Sequence, residues 1–184
     1  MIGSAGLEGE RALSWLLIEA AGTLDQLGDD APARLADALI ARLANNGEPP
    51  DRPGWLTFAA ALVRPEAVHV CHAGDLRVQL VQSGAVVAST IDHTIGNEHP
   101  ALRESPHRNV VARSLQRGLP PPDRATWPLA GPARLVIASY DVHGNAATDG
   151  VVPWPGSDFA SRQSAGAIIE LELTATWIHG EGTT

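Results

Sequence analysis

The stretch 67–89, AVHVCHAGDLRVQLVQSGAVVAS, limits the possible folds more than any other part of the chain. Apolar residues recur at near-alternate positions, valines are frequent, and Ser83-Gly84 stands where a two-residue hairpin turn requires positive φ. The pattern predicts strands over 67–73, 77–82 and 85–89. A further strand is expected over 56–63 (LTFAAALV), joined to the first by the Arg64-Pro65-Glu66 turn. One acid, Asp75, interrupts the run where a strand would otherwise continue.

The residues before this block read differently. Over 10–27, Leu13, Leu16, Leu17, Ala20, Leu24 and Leu27 share one helical face. Asp29 or Asp30 can cap a second helix with Pro32 in its first turn, Leu35, Leu39 and Leu43 as its apolar stripe, and Asn45-Asn46-Gly47 as its end. After the block, NEHPALRES (97–105) reads as loop and short helix, and NVVARSL (109–115) fits strand and helix equally. RATWPL and RLVIAS (134–139) read as strands, residues 141–166 mostly as loop, and AIIELELTATWIHG (167–180) as one or two strands. Helices segregated from antiparallel strands define an α+β layered domain. At 184 residues a single domain spanning 1–184 is expected.

Composition removes several functions. The net charge of −8 argues against nucleic-acid and anionic-membrane binding, which draw on basic patches. All 13 basic residues are arginine, so no lysine serves Schiff-base or P-loop chemistry. The single cysteine, Cys71, alternates with apolar neighbours and reads as core. No apolar run approaches the ~20 residues of a membrane span, and MIGSAGLEGE lacks the basic and apolar parts of a secretion signal. A cytoplasmic protein is expected.

Five stretches, in order, resemble segments of the metal-dependent serine/threonine phosphatases of the PPM (type 2C) family. GLEGERA (6–12) is similar to the helix start that follows the family's Asp-Gly-Met-Gly-Gly loop. TFAAALVRPEAVHVCHAGDLRVQL (57–80) is similar to the strand pair leading into Gly-Asp-Ser-Arg, here Gly74-Asp75-Leu76-Arg77. STIDHT (89–94) resembles the Thr-x-Asp-His-Ser/Thr segment, and SPHRNVVARSLQRG (105–118) resembles Pro-x-Arg-Asn-Val-x-x-Arg-Ala-Leu-Gly. LPPPDRATWPLAGPARLVIAS (119–139) resembles the strand that carries the Ser-Asp-Gly metal motif. The resemblance implies an α-β-β-α sandwich of two antiparallel sheets flanked by helices. It also implies phosphoserine or phosphothreonine hydrolysis with paired Mg²⁺ or Mn²⁺, whose hard cations need carboxylate oxygens to activate water.

The family's metal-binding acids are mostly replaced. The chain begins after the family's Arg-x-x-Asn-Glu-Asp strand, so it is expected to lack the N-terminal strands, the first acid and a phosphate-binding arginine. The acid of Asp-Gly-Met-Gly-Gly falls on Met1, with Ile2 for the glycine. The Ser-Asp-Gly acid falls on Tyr140 within Ser139-Tyr140-Asp141, and the Asp-Asn pair before the last strand on Gln163 and Ser164. Asp141 is the acid that a one-residue slip would retain. Gly74, Asp75 and Arg77 mark the scaffold and are not primary metal ligands in the family. An Asp75–Arg77 ion pair is expected to pin the hairpin.

Asp141 and His143, with Asp149 or Asp158, form a candidate single-metal set, set against an ordinary polar loop. His69 and His72 fall on opposite strand faces, and His93 and His107 read as loop residues bonded to backbone. Trp127 reads as core, whereas Trp154, in Pro-Trp-Pro-Gly, reads as an exposed contact anchor. The expected function is that of a catalytically impaired phosphatase-like protein that binds a protein partner or a second copy of itself, with no metal cofactor. The alternatives are a minimal Mg²⁺- or Mn²⁺-dependent phosphoserine/phosphothreonine phosphatase, and a sensor binding a small ligand in a cleft lined by Tyr140, Asp141 and His143.

Overall fold

Apolar alternation in the strands generates two separate cores, one on each face of a small sheet. The computed structural model describes residues 28–45, 56–115, 120–139 and 168–173. Within them the elements run α1 (Ala31–Asn45), β1 (Phe58–Val63), β2 (Ala67–Ala73), β3 (Arg77–Gln82), β4 (Ala85–Ser89), α2 (Ile95–Glu98), a 3-10 turn (Pro100–Leu102), β5 (Asp123–Pro128), β6 (Ala133–Ala138) and β7 (Ile168–Leu173). One sheet has the order β1-β2-β5 and the other β4-β3-β6-β7. Every pairing is antiparallel. No described helix is long and apolar enough to cross a membrane.

The strand period of two assigns each core its residues. Phe58 and Ala60 of β1, with Cys71 and Ala73 of β2, pack under Ala33, Ala36 and Leu39 of α1. On the opposite face Ala59, Val68 and Val70 meet Val78, Leu80, Leu135, Ile137 and Leu173 of the second sheet. Each large side chain buried this fully contributes about 1.5–3 kcal/mol. Burial pushes the Cys71 thiol up to about 12, against a smaller lowering by Arg124.

The helix adds alanines to the stripe expected of it. Its buried face is Ala33, Ala36 and Leu39, with Leu35 only partly buried. Leu39 and Leu35 of the expected stripe reach that core, and Ala33 and Ala36 let the helix lie close to the sheet beside them. Residues 109–115 form neither strand nor helix; only Val111, bridged to Thr94, and Leu115, bridged to Leu56, pair in strand fashion. The hairpin turn matches its sequence: Ser83 and Gly84 have φ of 50° and 79°, as a type I′ turn requires. A bulge between Leu80 and Val81 breaks the β3–β4 register, and Val87, passed over by that break, is 52% exposed.

Candidate functional site

Gly74, Asp75, Leu76 and Arg77 turn the chain from β2 into β3. Gly74 has φ 101°, and a Cβ there would lie 2.7 Å from Thr57 Cβ and 3.1 Å from Thr57 Cα. Only glycine meets both demands. Leu76, at the position of the family's serine, is 1% exposed and sits in the core between the sheets. Asp75 is half-buried and partnered.

The carboxylate that receives Arg77 is not the expected one. Arg77 donates two bonds to Asp92, Nη2 to Oδ2 at 2.6 Å and Nε to Oδ1 at 3.2 Å. Asp92 is buried, its side chain 4% exposed. The antiparallel return of β4 carries Asp92 back beside the start of β3. Thr90 extends the same ladder, its Oγ1 accepting from the Val78 N–H at 2.9 Å. Asn97 then donates to the Asp92 carbonyl at 2.8 Å and ties α2 to the turn.

His93 is the centre of a second cluster. Its Nδ1 accepts from the Gly74 N–H at 3.1 Å, so in the neutral ring the proton resides on Nε2. Nε2 faces Asp123 Oδ2 at 3.0 Å, and Arg113 Nη2 reaches Asp123 Oδ1 at 2.9 Å and also lies against His93 Nε2. Burial acts to raise the Asp123 pKa, but the His93 hydrogen bond and the charges of His93 and Arg113 outweigh it and hold the carboxyl below its usual range. Arg113 Nε lies 3.5 Å from Glu98 Oε1, too long for a hydrogen bond, and is buried without another partner. His93 was expected to bond to backbone, as it does through the Gly74 N–H; the structure adds two charged side chains.

The His72 ring lies 4.4 Å from that of His93, tilted by 32°. Its Nε2 donates to the Ile91 carbonyl at 3.0 Å. Burial lowers its pKa below the ordinary value, and the Ile91 carbonyl only partly offsets this. His69, on the opposite face as expected, faces Thr126 and, 3.7 Å away, Asp29.

These groups are occupied by one another. The lone pair of His93 is taken by an amide and its proton by a carboxylate, leaving neither free to serve a substrate. Asp92 and Asp123 are bound to cations. Among the described residues no group of three or more His, Cys, Asp or Glu is placed to hold a metal ion. The arrangement is a joint that fastens the β2–β3 turn to residues 92–113 and to β5.

The structure thus brings Gly74, Asp75 and Arg77 together. Tyr140, Asp141, His143 and Trp154 lie outside the described residues, as do Asp149 and Asp158. Sequence reasoning missed Asp92 and Asp123 as partners. STIDHT carried a signal for Asp92 through its resemblance; Asp123, in a proline-rich stretch, carried none.

The fold is that of the PPM-type serine/threonine phosphatases. The chain is similar to the Mycobacterium tuberculosis serine/threonine phosphatase PstP/Ppp, at 24% identity over 82% of this chain and 70% of that one, with a TM-score of 0.61. It is also similar to a Stage II Sporulation E family protein from Thermanaerovibrio acidaminovorans, at 19% identity over 94% of this chain and 93% of that one, with a TM-score of 0.64. A third similar structure is the PstP catalytic domain in complex with two manganese ions, at 24% identity, 80% and 68% coverage and a TM-score of 0.59. No family profile and no curated protein matches the chain.

Proposed function

We propose that this chain is a phosphatase-fold protein without phosphatase chemistry, working by binding another protein or a second copy of itself. The observation that carries the reading is the donor set at the family's metal positions. By the resemblance, the family's carboxylate positions fall on Met1, Tyr140 and Gln163, a thioether, a phenol and an amide, with Asp141 retained only by a one-residue slip. Two dications held close together need several anionic oxygens to offset their repulsion, and this set does not fit them. The frame motif, by contrast, is kept and bonded: Gly74 clamps His93, and Arg77 grips Asp92.

Calorimetric titration with Mn²⁺ and an aryl-phosphate assay test the proposal together. The expected result is no binding tighter than millimolar and no turnover. Tighter binding with turnover that Asp141→Ala abolishes would establish the minimal phosphatase instead.

A further inference from the structure

The segment between α2 and residue 110 combines exposed cations with exposed apolar side chains on a fixed backbone. Leu102 is 44% and Val110 50% exposed. Arg103 and Arg108 are exposed, as are His99 and His107, and Glu104 is the one acid among residues 99–110. Neither arginine makes an ion pair with any described residue, whereas Arg64, Arg77 and Arg113 all do.

The backbone holds these side chains in place. Successive turns join Leu102 N–H to the His99 carbonyl at 2.8 Å, Ser105 to Leu102 at 3.0 Å, Arg108 to Ser105 at 3.1 Å and Val110 to His107 at 3.0 Å. The coil is then anchored from below. Ile95 N–H donates to the Val110 carbonyl at 2.9 Å and Gly96 N–H to the Arg108 carbonyl at 2.8 Å. Gly96 sits so close that a Cβ would meet Arg108 Cβ at 3.0 Å. Residues so fixed lose little conformational freedom on binding, and arginine beside an apolar side chain is a composition that interfaces favour.

We infer that residues 99–110 are a docking surface for an acidic peptide segment of another protein, with carboxylates on Arg103 and Arg108 and an apolar side chain against Leu102 and Val110. The charge balance selects this occupant. Residues 99–110 carry two arginines against one glutamate, a net +1 in a chain that carries −8, so this segment attracts acids where the chain as a whole disfavours them. The inference deepens the protein-binding reading and rests on it.

The test uses the full chain and two fluorescein-labelled peptides, one of alternating glutamate and leucine, one of glutamate alone. Anisotropy is read at low and physiological salt. The glutamate–leucine peptide is expected to bind, more tightly than polyglutamate, and to weaken with salt. The double variant Arg103→Glu/Arg108→Glu is expected to lose roughly tenfold or more in affinity, with an unchanged thermal melt because both side chains are exposed. Arg34→Glu, an exposed change on α1, is expected to leave binding as it was. Leu102→Ser/Val110→Ser should remove the preference for the leucine-bearing peptide. Equal losses in the Arg34 and Arg103/Arg108 variants, or no binding by the wild type, overturn the inference. So does sedimentation showing a self-associated chain that the Arg103/Arg108 variant dissolves, which assigns the face to a second copy. Mn²⁺-dependent turnover would refute the loss of catalysis and leave these binding results standing, so the two failures are distinguishable.

Discussion

His93 and Gly74 hold each other in both directions. The His93 N–H donates to the Gly74 carbonyl at 2.8 Å, and the Gly74 N–H returns a bond to His93 Nδ1 at 3.1 Å. The second bond needs the Nδ1 lone pair, so the β2–β3 turn is tied to the orientation of this imidazole. The His72 ring lies 4.4 Å from that of His93, and burial lowers its pKa below the ordinary value.

Stability should therefore fall in mild acid. The folded His72 pKa lies below its ordinary value of 6.5, so the unfolded chain binds the proton first. Its contribution is complete above 6.5, declines as pH drops through that value, and levels off below the lowered folded pKa. Asp123, held below 3.8 when folded, adds stability that is lost at still lower pH. Thermal melts from pH 8 to pH 5 should show a falling Tm. His72→Gln, whose amide can still donate to the Ile91 carbonyl, should flatten the part of the slope just below 6.5. An equal slope in the variant would assign the acid sensitivity to other groups.

Replacing Gly74 by alanine should be among the costliest small changes in the chain. The backbone there disfavours a side chain by about 1–3 kcal/mol, and the new Cβ also meets the Thr57 Cβ at 2.7 Å and backbone Cα at 3.1 Å. Gly131 isolates the first effect, since its φ is 128° but nothing lies within 4 Å of an added Cβ. In urea melts Gly74→Ala should cost about 2 kcal/mol more than Gly131→Ala. Equal costs would mean that Thr57 yields freely.

Arg77 and Asp92 should prove strongly coupled. Asp92 is 4% exposed and Arg77 24%, so removing either leaves the other charge desolvated with part of its bonding lost. Asp92→Asn and Arg77→Met are each expected to cost about 2–4 kcal/mol. The double variant should cost less than their sum, by roughly 1–3 kcal/mol. An additive cycle would mean that the bidentate geometry contributes no net stability.

The contrast between Arg77 and the hairpin beside it explains what the sequence could disclose. The strands β1 to β6 follow from alternation, and the Ser83-Gly84 turn from residues that tolerate positive φ, because both signals are local. The partner of Arg77 is not local. Asp75 is nearer along the chain, yet the sheet returns Asp92 to face the guanidinium. Asp123 joins His93 across thirty residues for the same reason. Counting leucines found Leu39 and Leu35 on the buried side of α1 but not Ala33 and Ala36, because packing on a sheet also rewards small side chains that no periodicity ranks. The family's metal positions, which fall outside the described residues, were assigned by resemblance, since ligands drawn from separate strands leave no spacing pattern to read.

Cys71 offers a probe of how firmly α1 is seated. Its thiol is 1% exposed beneath the helix and is pushed from 9.0 to about 12. At pH 8 that shift lowers the thiolate fraction about a thousandfold relative to the unfolded chain, and the thiolate is the reactive species. Alkylation by iodoacetamide should therefore be roughly three orders of magnitude slower in buffer than in guanidinium chloride. Leu39→Ala removes a fully buried side chain from the same core, and the cavity should cost about 2–5 kcal/mol. If native labelling proceeds through opening of that core, the variant should label faster by a factor matching its loss of stability. Rapid labelling of the wild type at pH 8 would show that α1 leaves the sheet readily and that the thiol is not sealed beneath it.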